Sequence, residues 1–264
     1  MTDWDQRYLT GDTPWEKGQP SPALLDLLDK RLDWGPGPLL VPGCGLGHDV
    51  RALGMLGIPV VGLDISPSAV ALAREFPPTG DQTYEVGDFL DPAWRAGREF
   101  SAIWEHTCFC AIDLSQRASY AQAVAGCLPQ GGLLAGVFYL TPYDPDEDDT
   151  GPPFGVTIAE LDEWFTPAFE RLDGWVPQAA FPGREGREWI GLYRRRDLLK
   201  EHTAIRDEDL RRKIREIDKR DGVEDGRLLA APLTCPKCHA TVTAGALACL
   251  TCGATIAPKY PYAP

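Results

Sequence analysis

The feature that most constrains the fold of this chain is a short apolar run that ends in a glycine-rich turn. Residues 38–42 read Pro-Leu-Leu-Val-Pro, and Gly43, Gly45 and Gly47 follow before a helical stretch that reaches about Met55. Glycine lets a backbone turn tightly and approach a ligand without a Cβ in the way, and the free N–H groups at a helix start favour anions. We refer to residues 43–47 as the glycine turn; it predicts a nucleotide-binding pocket.

Short apolar runs alternate with helical stretches from about Gly37 to Arg194, which predicts a mostly parallel α/β sheet. Helix starts are marked by Ser66-Pro67 and by two capping boxes, at residues 113–116 and 157–160. Strands are expected at 38–42, 58–63, 83–86, 100–104 and 133–140, with a terminal antiparallel pair at 169–175 and 189–194.

Two acids follow neighbouring strands of this predicted sheet. Asp64 ends the second strand, about 20 residues after the glycine turn, where a carboxylate can accept hydrogen bonds from both ribose hydroxyls of a nucleotide. Asp88 and Phe89 follow the third strand, where an acid can meet an adenine amine beside a stacking ring. Both acids could instead be ordinary turn residues.

The spacing of the glycines discriminates between two nucleotide cofactors. A dinucleotide fingerprint of the form G-x-G-x-x-G would end at His48 instead of at a glycine. Gly43, Gly45 and Gly47 satisfy G-x-G-x-G, the form used by methyltransferases. The pattern therefore favours S-adenosylmethionine over a nicotinamide cofactor.

Length and charge limit the other functions open to the chain. Its 264 residues suffice for one α/β domain of about 200 residues and an appendage. The net charge of −13 argues against a broad grip on nucleic acid or anionic lipid. The first residues lack a basic-then-apolar signal segment, and the longest apolar stretch, residues 133–140, is too short to cross a bilayer. We expect a cytoplasmic protein without a membrane anchor.

Four of the eight cysteines form two tight pairs near the C-terminus, Cys235/Cys238 and Cys249/Cys252. The C-x2-C spacing of each pair is typical of a tetrahedral structural zinc site with four thiolate ligands, and so few residues could not form a core without metal. Disulfide or redox pairing is the alternative. We therefore expect a methyltransferase-sized domain at residues 1–196, a charged helical linker at 197–232, and a zinc ribbon-like module at 233–264.

The partner of this small module is left open by its sequence. It could bind a protein, nucleic acid or the first domain. Lys237 and Lys259 are its only basic residues, which disfavours nucleic acid.

Six blocks of sequence occur together in the first domain: TPWEKG (13–18), VPGCGLGHD (41–49), VGLDIS (61–66), GDF (87–89), GPPF (151–154) and REW (187–189). In combination they resemble the thiopurine S-methyltransferase family, which includes plant and fungal halide/thiol methyltransferases. The resemblance extends from about Trp4 to Arg195. It implies a class I methyltransferase fold, a Rossmann-like sheet of seven strands whose last strand is antiparallel.

The resemblance also implies roles for individual residues. Trp4 and Trp15 would lie on an N-terminal lid, and the segment from Glu105 to Phe109 would border the methyl group and the incoming nucleophile. The implied cofactor-binding residues are Trp4, Trp15, Gly43, Cys44, Gly45, Gly47, Asp64, Ile65, Asp88, Phe89 and Glu105.

The chain departs from the family near the expected ligand. Leu46 stands where members often have lysine, and Glu105-His106 where they often have aspartate followed by tyrosine or arginine. His106 could accept a thiol proton or orient a substrate, or it could be a hydrogen-bonded residue of the pocket wall. Glu105 could bind the cofactor or a cationic substrate group, or simply end the strand.

Other polar residues of the first domain carry two interpretations each. Cys108 and Cys110 would share one side of an extended segment, which favours packing over redox or metal chemistry. Arg184 and Arg187 could hold an anionic substrate or could be solvated loop charges.

Methyl transfer from a sulfonium is an in-line displacement, promoted mainly by alignment and by exclusion of water. We predict an S-adenosylmethionine-dependent methyltransferase that acts on a small nucleophile, preferably a thiol or sulfide. Halide or thiocyanate methylation is the nearest enzymatic alternative. A catalytically silent cofactor-binding module, whose zinc ribbon recruits a partner, is an alternative of a different class.

Overall fold

A computed structural model of the chain describes residues 2–30, 32–144, 151–197, 208–209, 212, 233–234, 237–239, 241–242 and 252. The chain divides into two compact units, Met1–Asp197 and Leu198–Pro264.

The first unit is an α/β domain with seven strands and seven helices among its described residues. The strands are β1 Leu39–Pro42, β2 Val60–Asp64, β3 Gln82–Val86, β4 Ala102–His106, β5 Leu133–Tyr139, β6 Phe169–Trp175 and β7 Glu188–Arg195. The helices are α1 Trp4–Thr10, α2 Pro22–Leu28, α3 His48–Gly54, α4 Pro67–Glu75, α5 Pro92–Arg95, α6 Arg117–Cys127 and α7 Ile158–Phe165, and a 3-10 turn, Leu114–Gln116, leads into α6.

The strands form one sheet in the order β3-β2-β1-β4-β5-β7-β6. β7 runs antiparallel to both of its neighbours, and the other adjacent strands are parallel. This confirms the predicted seven-stranded, mostly parallel sheet with a reversed last strand. The strand order reverses between β1 and β4, and ligands bind at the carboxyl ends of the strands at such a switch point.

Apolar side chains cover both faces of the central strands. In β1, Leu39 and Val41 belong to one buried cluster and Leu40 to the other. In β4, Trp104 and Ile103 divide between the same two clusters. Because successive side chains of a strand point to opposite faces, the continuous apolar runs read from the sequence are those of a sheet buried on both sides.

Helix starts follow the predicted capping residues. The Ser66 hydroxyl accepts from the Ala69 N–H at 3.0 Å, with Pro67 in the first turn of α4. Thr157 and Glu160 make the reciprocal hydrogen bonds of a capping box at the start of α7. The second predicted box, at residues 113–116, is also present, and it starts the 3-10 turn that precedes α6.

The bounds of β4 differ from those expected from the apolar run. The strand pairs with β5 through His106, opposite Val137, and begins at Ala102 instead of Phe100. Phe100 lies before the strand and stacks on Trp94, with ring centroids 6.3 Å apart. An apolar run marks buried residues, whereas a strand extends as far as its backbone pairs with a neighbouring strand. Because β4 pairs with β5 beyond the apolar run, Glu105 is part of β4.

In the second unit, Leu233–Thr234 (β8) and Thr241–Val242 (β9) form an antiparallel pair. Cys238 and Cys252 are described, but Cys235 and Cys249 lie outside the described residues, as does most of the predicted linker helix. The four-cysteine zinc site therefore stays a prediction. Among the described residues, no helix combines the length and apolarity needed to cross a membrane.

Candidate active site

A cavity of about 710 Å³ opens at the carboxyl ends of β1, β2 and β4. Its volume falls within the range of about 300–1,000 Å³ that is usual for small-molecule sites. Gly47 and Glu105 are not among its lining residues. The predicted site residues that line it are Trp4, Trp15, Gly43, Cys44, Gly45, Asp64, Ile65, Asp88, Phe89 and His106.

The glycine turn has a backbone that other residues adopt only with strain. Gly43 has φ +62° and Gly45 has φ +51°, in the left-handed region where a Cβ is disfavoured. A Cβ at Gly45 would lie 2.7 Å from the Tyr8 hydroxyl oxygen, and one at Gly43 would lie 2.9 Å from Cβ of Cys108. The absence of a side chain at these two glycines lets the Tyr8 hydroxyl and the Cys108 side chain pack directly against the backbone of the turn.

Asp64 lies at the end of β2 and connects the glycine turn to the next loop. One carboxylate oxygen accepts from the Gly45 N–H at 2.8 Å, and the other accepts from the Ser66 N–H at 2.9 Å. Burial raises the pKa of this carboxyl in spite of those hydrogen bonds. Since a carboxylate offers about four lone-pair sites, Asp64 can hold the turn and still accept from a ligand in the cavity.

Asp88 and Phe89 follow β3 on the same side of the cavity. Asp88 is exposed, and its carboxylate accepts from the Leu90 N–H at 2.7 Å. Phe89 is 5% exposed, and its ring meets the Tyr120 ring edge-on at a centroid distance of 5.2 Å. Core packing thus fixes the Phe89 ring, and the Asp88 carboxylate stays accessible.

The N-terminal segment contributes an aromatic cluster to the cavity wall. The Trp15 indole N–H donates to the Tyr8 hydroxyl at 3.1 Å, and the Trp4 and Trp15 rings meet edge-on at 5.3 Å. The Arg7 guanidinium lies 4.3 Å from the centre of the Trp15 ring. Trp4 and Trp15 were predicted at this place, but Tyr8 was not.

Two polar contacts hold the N-terminal segment on the sheet. Asp5 accepts from the Ser66 hydroxyl at 2.7 Å and from the Ser68 N–H at 2.9 Å, and these hydrogen bonds lower the pKa of Asp5. Glu16 and His48 approach at 2.9 Å between carboxylate oxygen and Nε2. The aromatic cluster is therefore anchored on both sides of the glycine turn.

Glu105 is buried beside the cavity, and its carboxylate accepts hydrogen bonds from nearby groups of the protein. It accepts from the N–H groups of Cys108 and Phe109, at 3.0 and 2.8 Å, and from the Tyr120 hydroxyl. Burial raises the pKa of Glu105. These contacts fix the turn that follows β4.

His106 lines the cavity and is held by a buried carboxylate. Its Nδ1 lies 2.9 Å from Oδ2 of Asp49, in the first turn of α3. The same oxygen accepts from the Trp104 indole N–H at 2.8 Å, and Oδ1 accepts from the Ser21 N–H at 2.7 Å. Burial alone would raise the pKa of Asp49, but His106 and these hydrogen bonds hold it below its usual value.

The other ring nitrogen of His106, Nε2, is buried and has no hydrogen-bond partner within the described parts of the chain. The Phe181 ring stacks on the imidazole at a centroid distance of 6.2 Å. Sequence reasoning singled out His106 but missed Asp49 and Phe181. The signal for Asp49 was its place in the first turn of the helix after the glycine turn, a position that also suits an ordinary surface acid.

Cys108 and Cys110 both line the cavity but do not form the extended segment expected from their spacing. They lie in a turn after β4. Burial raises the pKa of the Cys108 thiol well above its usual value and that of Cys110 to about 12. Both are therefore protonated thiols at neutral pH, which agrees with a packing role.

The two loop arginines differ in their contacts and in their relation to the cavity. Arg184 lines the cavity and lies 3.2 Å from a carboxylate oxygen of Glu188. Arg187 pairs with Asp144 and is not among the cavity-lining residues.

The strand order, the glycine turn at the switch point and the acid at the end of β2 together define the class I methyltransferase architecture. Solved structures agree. A SAM-dependent methyltransferase from Anabaena variabilis has a TM-score of 0.55 at 20% sequence identity, with coverage of 73% of this chain and 93% of that one. A second, from Methanosarcina mazei, has a TM-score of 0.54 at 18% identity and covers 64% and 97%.

Sequence comparison identifies the family. The model of the family described as Thiopurine S-methyltransferase (TPMT) matches residues 1–182. "Probable thiol methyltransferase 2" of Arabidopsis thaliana is 31% identical over 197 residues, which are 73% of this chain and 84% of that protein. "Thiocyanate methyltransferase 1" of Brassica oleracea is 31% identical over 198 residues, with the same coverage. The chain belongs to the thiopurine S-methyltransferase family and is an S-adenosylmethionine-dependent methyltransferase.

Proposed function

We propose that this methyltransferase transfers the methyl group of S-adenosylmethionine to a small thiol or sulfide. The observation that carries the proposal is that one cavity combines the glycine turn and Asp64 with a wall that contains His106. A nucleotide cofactor and a small acceptor can therefore meet inside it. The name of the Arabidopsis relative, a thiol methyltransferase, supports sulfur as the acceptor atom.

The proposed cofactor site follows the lining residues. Gly43, Cys44 and Gly45 lie under the methionine portion, and Asp64 accepts from the ribose hydroxyls with Ile65 beside it. The position of these residues in the cavity wall and the remaining lone pairs of Asp64 support this placement. When bound, the cofactor supplies an activated methyl group.

The adenine end and the lid complete the proposed site. Asp88 accepts from the adenine amine beside Phe89, and Trp4 and Trp15 cover the cofactor. The exposure of the Asp88 carboxylate and the anchored N-terminal segment support these roles. Gly47, with φ +72° at the start of α3, shapes the turn without lining the cavity. We assign Glu105 as a positioning residue, because its carboxylate binds the turn that carries Cys108.

Thiocyanate or halide methylation is the second candidate function. The Brassica relative is named a thiocyanate methyltransferase, and Arg184 gives the cavity a cation that could attract an anion. Glu188 lies beside that guanidinium, however, and offsets its charge. The anion candidate is therefore the weaker of the two.

A labelled-methyl assay on the purified full chain tests the proposed function. The acceptors are sulfide, an alkyl thiol, an aromatic thiol, iodide and thiocyanate, and cofactor binding is measured separately by calorimetry. Turnover on thiols that is lost in Asp64→Ala, with the methyl thioether as product, is the expected result. Cofactor binding without turnover on any acceptor would overturn the proposal and favour the silent binding module.

We also propose that Cys235, Cys238, Cys249 and Cys252 hold a structural zinc ion. The two C-x2-C spacings support this, and β8 and β9 bracket the first cysteine pair, as a metal-bound turn between two short strands requires. Use of cysteine as a metal ligand would also agree with the expected cytoplasmic location. One zinc per chain, lost in Cys249→Ser, is the expected elemental analysis, and a zinc-free full chain would contradict the proposal.

A further inference from the structure

The contact between Asp49 and His106 decides which acceptors this site suits. We infer that the pair acts as a general base, so that the preferred acceptor is a thiol that arrives protonated rather than an anion such as iodide or thiocyanate. This inference rests on the proposed thiol methylation and adds the protonation state of the substrate to it.

The hydrogen bond assigns the proton on the imidazole ring. The lowered pKa of Asp49 keeps its carboxylate ionised at neutral pH, and an ionised carboxylate can only accept hydrogen bonds. Nδ1 of His106, 2.9 Å away, must therefore carry a proton. In the neutral ring Nε2 is then the proton acceptor, and this is the nitrogen that has no partner among the described residues.

The charged groups around His106 leave Asp49 as its controlling partner. Glu105, on the same strand, directs its carboxylate to backbone N–H groups and to Tyr120. Arg184, from the loop that carries Phe181, is paired with Glu188. Among the residues that the structure describes, Asp49 alone is in hydrogen-bond contact with the imidazole, and its negative charge stabilises the imidazolium that forms when Nε2 accepts a proton.

The proposed step conserves atoms and charge. The acceptor S–H bond breaks, and its proton moves to Nε2 of His106. The electron pair of the acceptor sulfur forms the new S–C bond to the methyl carbon, and the pair of the broken C–S bond stays on the cofactor sulfur. A neutral methyl thioether is produced, and the imidazolium later releases its proton to solvent. An anionic acceptor has no proton to remove and gains nothing from the pair.

His106→Gln removes the base but retains an amide that can donate to Asp49. With a weakly acidic alkyl thiol at neutral pH, we expect kcat/KM to fall by about 10²-fold, the lower end of general-base effects. Thiocyanate and an acidic aromatic thiol that is already ionised should lose less than tenfold. The residual alkyl-thiol rate should rise with pH as the thiol itself ionises, whereas the wild-type rate should depend less steeply on pH over the same range.

Asp49→Asn tests the positioning role of the carboxylate by a readout that is independent of turnover. Imidazole 15N spectra can be assigned because the chain has four histidines. The wild type should show Nδ1 protonated and Nε2 free, and Asp49→Asn should lose this preference. Asp26→Asn is the matched control, because Asp26 also accepts from a tryptophan indole and a backbone N–H, in contacts with Trp175 and Gln178.

The outcomes separate this inference from the function on which it rests. If the wild type methylates thiols but His106→Gln loses activity equally on all acceptors, or loses none, the general-base role is overturned and thiol methylation stands. A wild-type ring protonated on Nε2 would overturn it independently. No thiol turnover by the wild type would overturn both.

Discussion

The glycine turn shows how much a single residue can determine at this site. At Gly45, alanine would combine a left-handed backbone with a Cβ 2.7 Å from the Tyr8 hydroxyl. The backbone strain alone costs about 1–2 kcal/mol. The contact with Tyr8 adds displacement of the aromatic cluster that we place over the cofactor.

We therefore expect Gly45→Ala to lower the affinity for S-adenosylmethionine by at least tenfold. Gly57→Ala is a matched control, because Gly57 has φ +75° and open space around its Cβ position, outside the cavity. Both variants should lose the stability that the left-handed backbone costs, and Gly45→Ala should lose more through its contact with Tyr8. Only Gly45→Ala should lose affinity in calorimetry. Equal cofactor affinity in the two variants would place the ligand away from the turn.

Asp49 should make a pH-dependent contribution to stability. Its pKa is lowered from an ordinary value of 3.8, so the folded protein binds a proton there less readily than the unfolded chain. The stabilisation is fully present above the ordinary value and is lost as the pH falls through the lowered pKa. Asp49→Asn should therefore cost more free energy of unfolding at pH 6 than at pH 3. A deficit independent of pH, relative to Asp26→Asn, would contradict this.

At the residue scale, the sequence pointed to those cavity-lining residues whose signal is local. Gly45 and Asp64 follow directly from the position of a turn and of a strand end. The pairing of Asp49 with His106 could not be read in this way, because 57 residues separate them along the chain. Only the alignment of β1 with β4 in the sheet brings the start of α3 to the end of β4.

At the scale of elements, one carboxylate of helix α1 binds the start of helix α4. Asp5 connects α1 to the loop between β2 and α4. Asp5→Ala should accelerate cofactor dissociation several-fold, because the segment with Trp4 and Trp15 loses an anchor, while global unfolding changes little.

Stopped-flow tryptophan fluorescence, with the signal from Trp4 and Trp15 beside the cavity, measures this dissociation rate. Asp12→Ala is the control, since Asp12 pairs with Arg7 inside the same segment at 3.1 Å. Unchanged dissociation in Asp5→Ala would mean that the lid is held by its aromatic contacts alone.

Elements also differ in how well the sequence predicts their ends. The helix starts at Ser66 and Thr157 are confirmed, because a capping side chain acts on backbone groups within three residues. The start of β4 was misplaced by two residues. A strand begins and ends where pairing with its neighbour begins and ends, and that neighbour is distant in sequence.

For the whole molecule, the family match at residues 1–182 and the lining of the cavity, which reaches Arg184, both fall within the first unit. The alternation of apolar runs predicted a mostly parallel sheet, and the resemblance added seven strands with a reversed last strand. The strand order was not predicted, since periodicity does not reveal which strands are neighbours. Because the cavity lies within the first unit, treatment with a strong chelator, which would remove the proposed zinc ion, should leave methyl transfer unchanged in the full chain. Loss of activity that added zinc restores would show that the second unit supports the site.

The most direct test of the proposed thiol methylation compares kcat/KM of the full chain for an alkyl thiol and for thiocyanate, with labelled S-adenosylmethionine at neutral pH. The cavity with its Asp49–His106 pair predicts that the thiol is favoured by at least tenfold. A preference for thiocyanate, or methylation of neither acceptor, would contradict the assignment of this enzyme as a thiol methyltransferase.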